Sequence, residues 1–155
     1  MPKSTSTKNT VRSSDKLSDY TLEDLLPHRE NMLLVDEIIS VDESHSTTRS
    51  RVARTWPMAD EDGVSPLIFV ELAAQAAGVC NGWGRIQQLG RDSDKMGWLV
   101  AVKRAEFHID QLPFGLPVTA KAENTMVFDK FREVTSHLYH EDVLLAEVVL
   151  QLYQV

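Results

Sequence analysis

The hydrophobic positions of this chain change their spacing three times. From Leu67 the sequence runs LIFVELAAQAAGVCNGWGRIQQLG, and its first half is apolar on every side. That pattern predicts a helix buried all round, not one with a single apolar stripe. Ser65 as N-cap, Pro66 as first helical residue and Gly90 as C-cap would bound it. Its length of about 23 residues corresponds to about 35 Å. Upstream, Thr21 to Pro27 predicts a short helix, capped by Thr21, acidic in its first turn and stopped by Pro27. Met32 to Val41 is rich in Leu, Val and Ile and predicts a strand apolar on both faces. Thr47 to Thr55 alternates and predicts a second strand, and Trp56 to Gly63 is a loop dense in turn residues. Downstream, strands are predicted at Trp98 to Ala105, Phe107 to Ile109, Val118 to Phe128, Arg132 to His140 and Leu144 to Val155. A Pro/Gly turn at Leu112 to Pro117 and polar turns at Asp129-Lys130 and Glu141-Asp142 separate them.

One apolar helix in an otherwise antiparallel chain has one economical arrangement, a sheet curled around it. That is an α+β fold of the hotdog type. The 155 residues correspond to one domain, placed at 17–155, with a disordered Ser/Thr/Lys-rich tail at 1–16. The tail lacks the apolar stretch of a secretory signal. Net charge is −7, made of +3 over 1–16 and −10 over the rest. An acidic body argues against nucleic acid as a partner. The longest apolar runs are too short to span a bilayer. The single cysteine, Cys80, excludes an intrachain disulfide and suits a reducing compartment, the cytoplasm.

Glu71 is the most informative residue, because it lies among Phe69, Val70, Leu72, Ala73 and Ala74. A carboxyl in such company is expected to have a raised pKa, which suits a general acid. The structural alternative is a carboxyl tied to a partner chain or to the backbone. Gln75 is one turn further on and can hydrogen-bond that carboxyl or a ligand. The helix start at Ser65, Pro66 and Leu67 would present N–H groups able to polarise a carbonyl oxygen. His28 sits in a Pro-His-Arg turn, where bonding to its own loop competes with a role as base. His137 and His140 are three apart in a strand and so face opposite ways, against a shared metal. Asp60, Glu61 and Asp62 lack calcium-loop spacing, and Gly63 to Leu67 is not a nucleophile elbow. Gly82-Trp83-Gly84 is read as small residues for close helix packing, not a dinucleotide loop, and Cys80 as a small buried hydrophobe.

Leu25-Leu26-Pro27-His28-Arg29 followed by Met32-Leu33-Leu34-Val35-Asp36 resembles the opening of the hotdog β-hydroxyacyl-[acyl carrier protein] dehydratases. Val70-Glu71-Leu72-Ala73-Ala74-Gln75-Ala76-Ala77-Gly78 is similar to the start of their central helix, and Phe107 to Val118 resembles the strand, turn and strand that follow. The likeness runs from about Leu22 to the C-terminus and points to the branch found in aryl polyene and related fatty-acid-like biosynthetic clusters. It implies two hotdog chains, alike or different, with joined sheets and active sites at their interface. It implies an acyl thioester on the phosphopantetheine arm of a carrier protein or on coenzyme A, no metal or cofactor, and loss of water to give a trans-2-enoyl product. Glu71 would protonate the leaving hydroxyl, and N–H groups at Ser65 to Leu67 would hold the carbonyl, with Gln75 beside the substrate. The dehydratases carry a catalytic His in a Gly-His-Phe-Pro-Gly loop before this helix, whereas Trp56 to Val64 holds none. Either His28 replaces it, or Asp60 or Asp62 does, or the chain is a non-catalytic partner of a His-bearing subunit. A thioesterase of the same fold is a further alternative. Arg29, Lys103 and Arg104, with Arg85 and Arg91, are candidates for docking an acidic carrier protein.

Overall fold

The computed structural model describes residues 16–154, so the expected tail at 1–16 lies outside them apart from Lys16. Six strands and two helices follow in the order α1 (Leu22–Leu25), β1 (Glu37–Val41), β2 (His45–Arg51), α2 (Ile68–Leu89), β3 (Gly97–Phe107), β4 (Pro117–Phe128), β5 (Phe131–His140) and β6 (Val143–Gln154). All strands join one antiparallel sheet in the order β1-β2-β4-β5-β6-β3, which leaves β1 and β3 as its edges. The 22-residue α2 packs on β2, β4, β5 and β6. This is the hotdog arrangement, a sheet around one central helix. No helix among the described residues is long and apolar enough to cross a membrane.

The close fit of helix to sheet follows from small side chains at the contact. β2 turns Ser46, Thr48 and Ser50 inward, and β4 turns Val118, Ala120 and Ala122 the same way. They pair in register, Ser46 with Ala122 and Thr48 with Ala120. They meet a helix built from Ala73, Ala76 and Ala77, and the Ser46 hydroxyl donates to the Ala76 carbonyl at 2.6 Å. Phe69 and Leu72 are fully buried in the same cluster, each contributing roughly 1.5–3 kcal/mol through burial. A second, smaller cluster joins Leu25 and Leu26 of the α1 region to Val79 and Ile86 of α2.

Several expectations need correction. Residues 32–36 are not strand. Glu30–Met32 forms a 3-10 turn, and Leu34 and Val35 are buried in an extended segment before β1. The apolar run there reflects burial, not sheet pairing. β1 itself is an exposed edge, not a central strand. β2 begins at His45 and ends at Arg51, short of Thr55, and β3 runs unbroken through Phe107. Helix α2 begins at Ile68 with Leu67 as its cap residue; Ser65 and Pro66 form a turn before it. Nor is α2 buried all round. Glu71, Ala74, Gly78 and Asn81 remain partly open, a stripe of one residue per turn.

Gly82 shows why α1 can lie so near. A Cβ there would sit 2.6 Å from the Leu25 carbonyl oxygen, whereas one at Gly84 would meet nothing within 4 Å. The reading of both as packing glycines therefore holds for Gly82 only. Gly82→Ala is expected to destabilise by about 1–3 kcal/mol through overpacking, while Gly84→Ala should stabilise by up to about 1 kcal/mol through helix propensity. Urea unfolding of the two variants checks the opposite signs.

Candidate active site

The site begins with the capping of α1. The Asp24 N–H donates to the Thr21 hydroxyl at 3.3 Å, and the Thr21 N–H returns a bond to the Asp24 carboxylate at 2.8 Å. The Leu26 N–H closes the turn on the Leu22 carbonyl, and Pro27 prevents its continuation. With Leu25 and Leu26 anchored on α2, the chain delivers the next residue, His28, to the open stripe of the helix. The His28 Nε2 lies 3.1 Å from Glu71 Oε1. His28 does not bond its own loop, the competing expectation; its Nδ1 is buried with no hydrogen-bond partner.

Gln75 completes the constellation. It is fully buried, and its amide nitrogen donates to Glu71 Oε1 at 3.0 Å and to the Met32 carbonyl at 2.7 Å. Its amide oxygen accepts the Leu34 N–H at 2.9 Å. Every strong bonding direction is thus used internally, and Gln75 is a positioning residue for the carboxyl. The direction of the Glu71 pKa is the reverse of the expectation. The His28 hydrogen bond holds the carboxyl below the ordinary carboxylate range, with the Gln75 amide acting the same way, against the opposing pull of burial. The sequence neighbours of Glu71 suggested an apolar setting, but they point elsewhere around the helix. The carboxyl keeps 34% of its side-chain surface and has two donors.

A cavity of about 190 Å³ adjoins the pair. Its floor is the stripe Glu71, Ala74, Gly78, Asn81, Gly82 and Arg85, at three- and four-residue spacing on one helix face. Its outer wall includes Met96, Gly97, Trp98 and Leu99 at the start of edge strand β3. Complete ligand pockets hold roughly 300–1,000 Å³, so this cavity is smaller than a typical complete pocket, and it is bounded on one side by a sheet edge.

Ser65, Pro66 and Leu67 do not line this cavity. The N–H groups of the helix start are already donated. Ser65 bonds the Met58 carbonyl, Leu67 the Ser65 hydroxyl at 3.3 Å, and Ile68, Phe69 and Val70 the carbonyls three residues back. The loop Trp56 to Val64 is equally remote. Asp60 Oδ1 accepts from the N–H groups of Asp62 and Gly63, which uses it within its own turn. The docking candidates are dispersed. Lys103 pairs with Glu133 at 3.3 Å, and Arg104 with Glu106 at 2.8 Å and Glu147 at 3.6 Å. Arg29 folds back on the carbonyls of Leu26, His28 and Glu23. Arg91 lies over the Tyr20 ring, and Arg85 is buried. His137 bonds Glu147 and His140 the Pro117 carbonyl. Burial pushes the Cys80 thiol up to about 12. What the sequence reading did not join is the Glu71-to-Arg85 stripe, whose signal was its regular spacing of small residues between charged ends.

The family model of the ApeP-like proteins, described as ApeP dehydratase, matches residues 20–155. No curated protein matches the chain. Among solved structures, the dehydratase heterocomplex ApeI:P from Xenorhabdus doucetiae has a chain similar at 22% identity and TM-score 0.79, covering 88% of this chain and 91% of that one. The PaaI protein of the E. coli phenylacetic acid degradation operon is similar at 15% identity and TM-score 0.58, over 76% and 82% of the two chains. A hypothetical thioesterase with coenzyme A from Streptococcus pneumoniae is similar at 11% identity and TM-score 0.56, over 76% and 83%. At these identities the structures show a shared hotdog fold.

The lowered Glu71 pKa carries a sign. Its contribution to stability is full above the unfolded carboxyl value and is lost as pH falls through the folded one. The difference in unfolding free energy between the parent chain and Glu71→Gln should therefore be smaller at about pH 3 than at about pH 5. Urea midpoints across that range measure it; a difference that grows toward acid would contradict the assignment.

Proposed function

We propose, from the premise that this chain belongs to the ApeP-like dehydratase family, that it removes water from a 3-hydroxyacyl thioester, with His28 and Glu71 as the acid–base pair. The observation that carries this is the 3.1 Å contact of His28 Nε2 with Glu71 Oε1 beside a cavity. The loop histidine of the hotdog β-hydroxyacyl dehydratases that the sequence resembles has no counterpart in Trp56 to Val64, and His28 supplies an imidazole from a different segment.

The chemistry balances over the pair. His28 takes the proton from C2 of the substrate on Nδ1, the ring nitrogen without a hydrogen-bond partner, because Nε2 donates to Glu71, and the electrons of that bond form the C2–C3 double bond as the C3–O bond breaks. The new imidazolium is stabilised by the Glu71 carboxylate. A proton crosses their hydrogen bond to Glu71, which delivers it to the departing hydroxyl, and water leaves. His28 ends neutral and Glu71 ionised, as they began. Glu71 is thus an acid only within the catalytic cycle, which reconciles its role with a carboxyl ionised at rest. Gln75 holds Glu71 Oε1 toward His28 throughout.

The exposed edge of β3 supports pairing with a second hotdog chain. Trp98, Leu99, Val100 and Val102 there are 45–59% exposed, and an unpaired edge carrying large apolar residues is rarely left open. The partner would add a wall to the cavity at that edge. The similar structure from Xenorhabdus doucetiae is a heterocomplex, so a different hotdog chain fits as well as a copy. That edge also favours a second reading, in which this chain is a non-catalytic wall for a His-bearing partner.

Turnover of a 3-hydroxyacyl thioester, followed as enoyl product, separates them. Glu71→Gln and His28→Asn should each cost at least about 10²-fold in rate while both variants remain folded. Full rates in both variants, alone or with the partner present, would establish the wall reading.

A further inference from the structure

The far end of the cavity is cationic in an acidic chain. Three of the residues that line it, Arg85, Lys95 and Arg132, are cations, and Glu71 is its sole carboxylate among the described residues. None of the three has a carboxylate oxygen within 4.0 Å among the described residues, whereas Arg29, Arg49, Arg91 and Arg104 pair with acidic groups and Arg54 lies over the Phe114 ring. Arg85 is the most unusual. It is 5% exposed, it bonds only the Asp94 and Asp24 carbonyls, and its Nε is buried with no partner. A buried guanidinium with no carboxylate in contact is costly; burial lowers its pKa, and the charge of Asp94, which makes no ion-pair contact with it, opposes that only in part. Arg132 likewise bonds only the carbonyls of Asp129 and Phe131.

The cations also sit at a passage. Arg85, Arg132, Asn81 and Gln154 line both this cavity and a second one of about 430 Å³, whose rim carries Lys130 and the exposed carboxylates Glu43 and Asp129. The two spaces therefore share walls at the point where the cations lie, and the second leads to the surface. Along α2, Glu71 and Arg85 are fourteen residues apart, about 21 Å at the helical rise. An extended pantetheine arm has a comparable reach from its thioester sulfur to its phosphate. Between the two ends the floor is Ala74, Gly78 and Gly82, small enough to admit a slender chain.

We propose that Arg85, Arg132 and Lys95 form an anion subsite for the phosphate of the pantetheine arm, so that the thioester enters past these cations and reaches His28 and Glu71. This rests on the dehydratase reading for the identity of the arm. Phosphate is matched by the planar donors of arginine, and it supplies an anion in direct contact, which Arg85 lacks.

Calorimetric titration with 4′-phosphopantetheine and with unphosphorylated pantetheine tests it without turnover. The parent chain should bind the phosphorylated arm at least about tenfold more tightly, the scale of one charge-assisted contact. Arg132→Gln combined with Lys95→Gln, both outside the buried core, should remove that preference. Equal binding of the two arms by the parent chain, or a preference that survives in the double variant, would overturn the subsite. A preference for an acyl pantetheine ending in a carboxylate over a plain acyl one, without any for the phosphate, would also overturn it and assign the cations to the acyl tip. The comparison of the two arms on the parent chain needs no variant to fold. It is independent of the enoyl assay, so a phosphate preference in a chain without turnover both alone and with its partner would remove the dehydratase reading while leaving the subsite in place.

Discussion

A single buried amide organises this site. Gln75 has no exposed surface, and its three hydrogen bonds reach the Met32 carbonyl, the Leu34 N–H and Glu71. Two of them fasten the segment before β1 to α2, which replaces the strand pairing that this segment lacks. The third fixes the carboxyl that receives His28. Because Leu34 is fully buried, removing the amide would leave its N–H unpaired, at about 1–3 kcal/mol. The backbone around residues 32–34, the rotamer of Glu71 and the position of its imidazole partner are therefore one coupled arrangement.

The same coupling explains what could be read from the chain and what could not. The central helix, the long C-terminal strands and their two-residue turns followed from periodicity and turn chemistry, since each is decided by residues close in sequence. Glu71 could be singled out because an acid among Phe69, Val70 and Leu72 breaks the local pattern. The direction of its pKa could not be, because His28 lies 43 residues away in sequence and pairs with it only when α1 packs on Gly78 and Gly82. The edge position of β1 was hidden for a similar reason. Leu34 and Val35 look like strand core but are buried by the helix. The helix start misled by two residues, since Ser65 engages the Leu67 N–H instead of leaving it for a ligand.

Charge follows the same logic of position over composition. The chain is acidic overall, yet one groove along α2 has a paired carboxylate at one end and unpaired cations at the other. Lys103 and Arg104, conspicuous in sequence, are neutralised by neighbours across β5 and β6. Arg85, embedded in the helix and flanked by apolar residues, carries its charge inside. A count of basic residues on the surface would therefore miss the cations that have no acidic partner.

His28 and Glu71 reside in the same polypeptide, joined by a contact that crosses no interface. That has a genetic consequence. Where two halves of a centre come from opposite subunits, a lesion in each of two alleles can complement, because a mixed pair rebuilds one intact centre. Under the proposed chemistry, a chain altered at either residue can still lend a wall to its neighbour but cannot have its own pair rebuilt by it. Alleles altered at His28 and at Glu71 would then fail to complement one another.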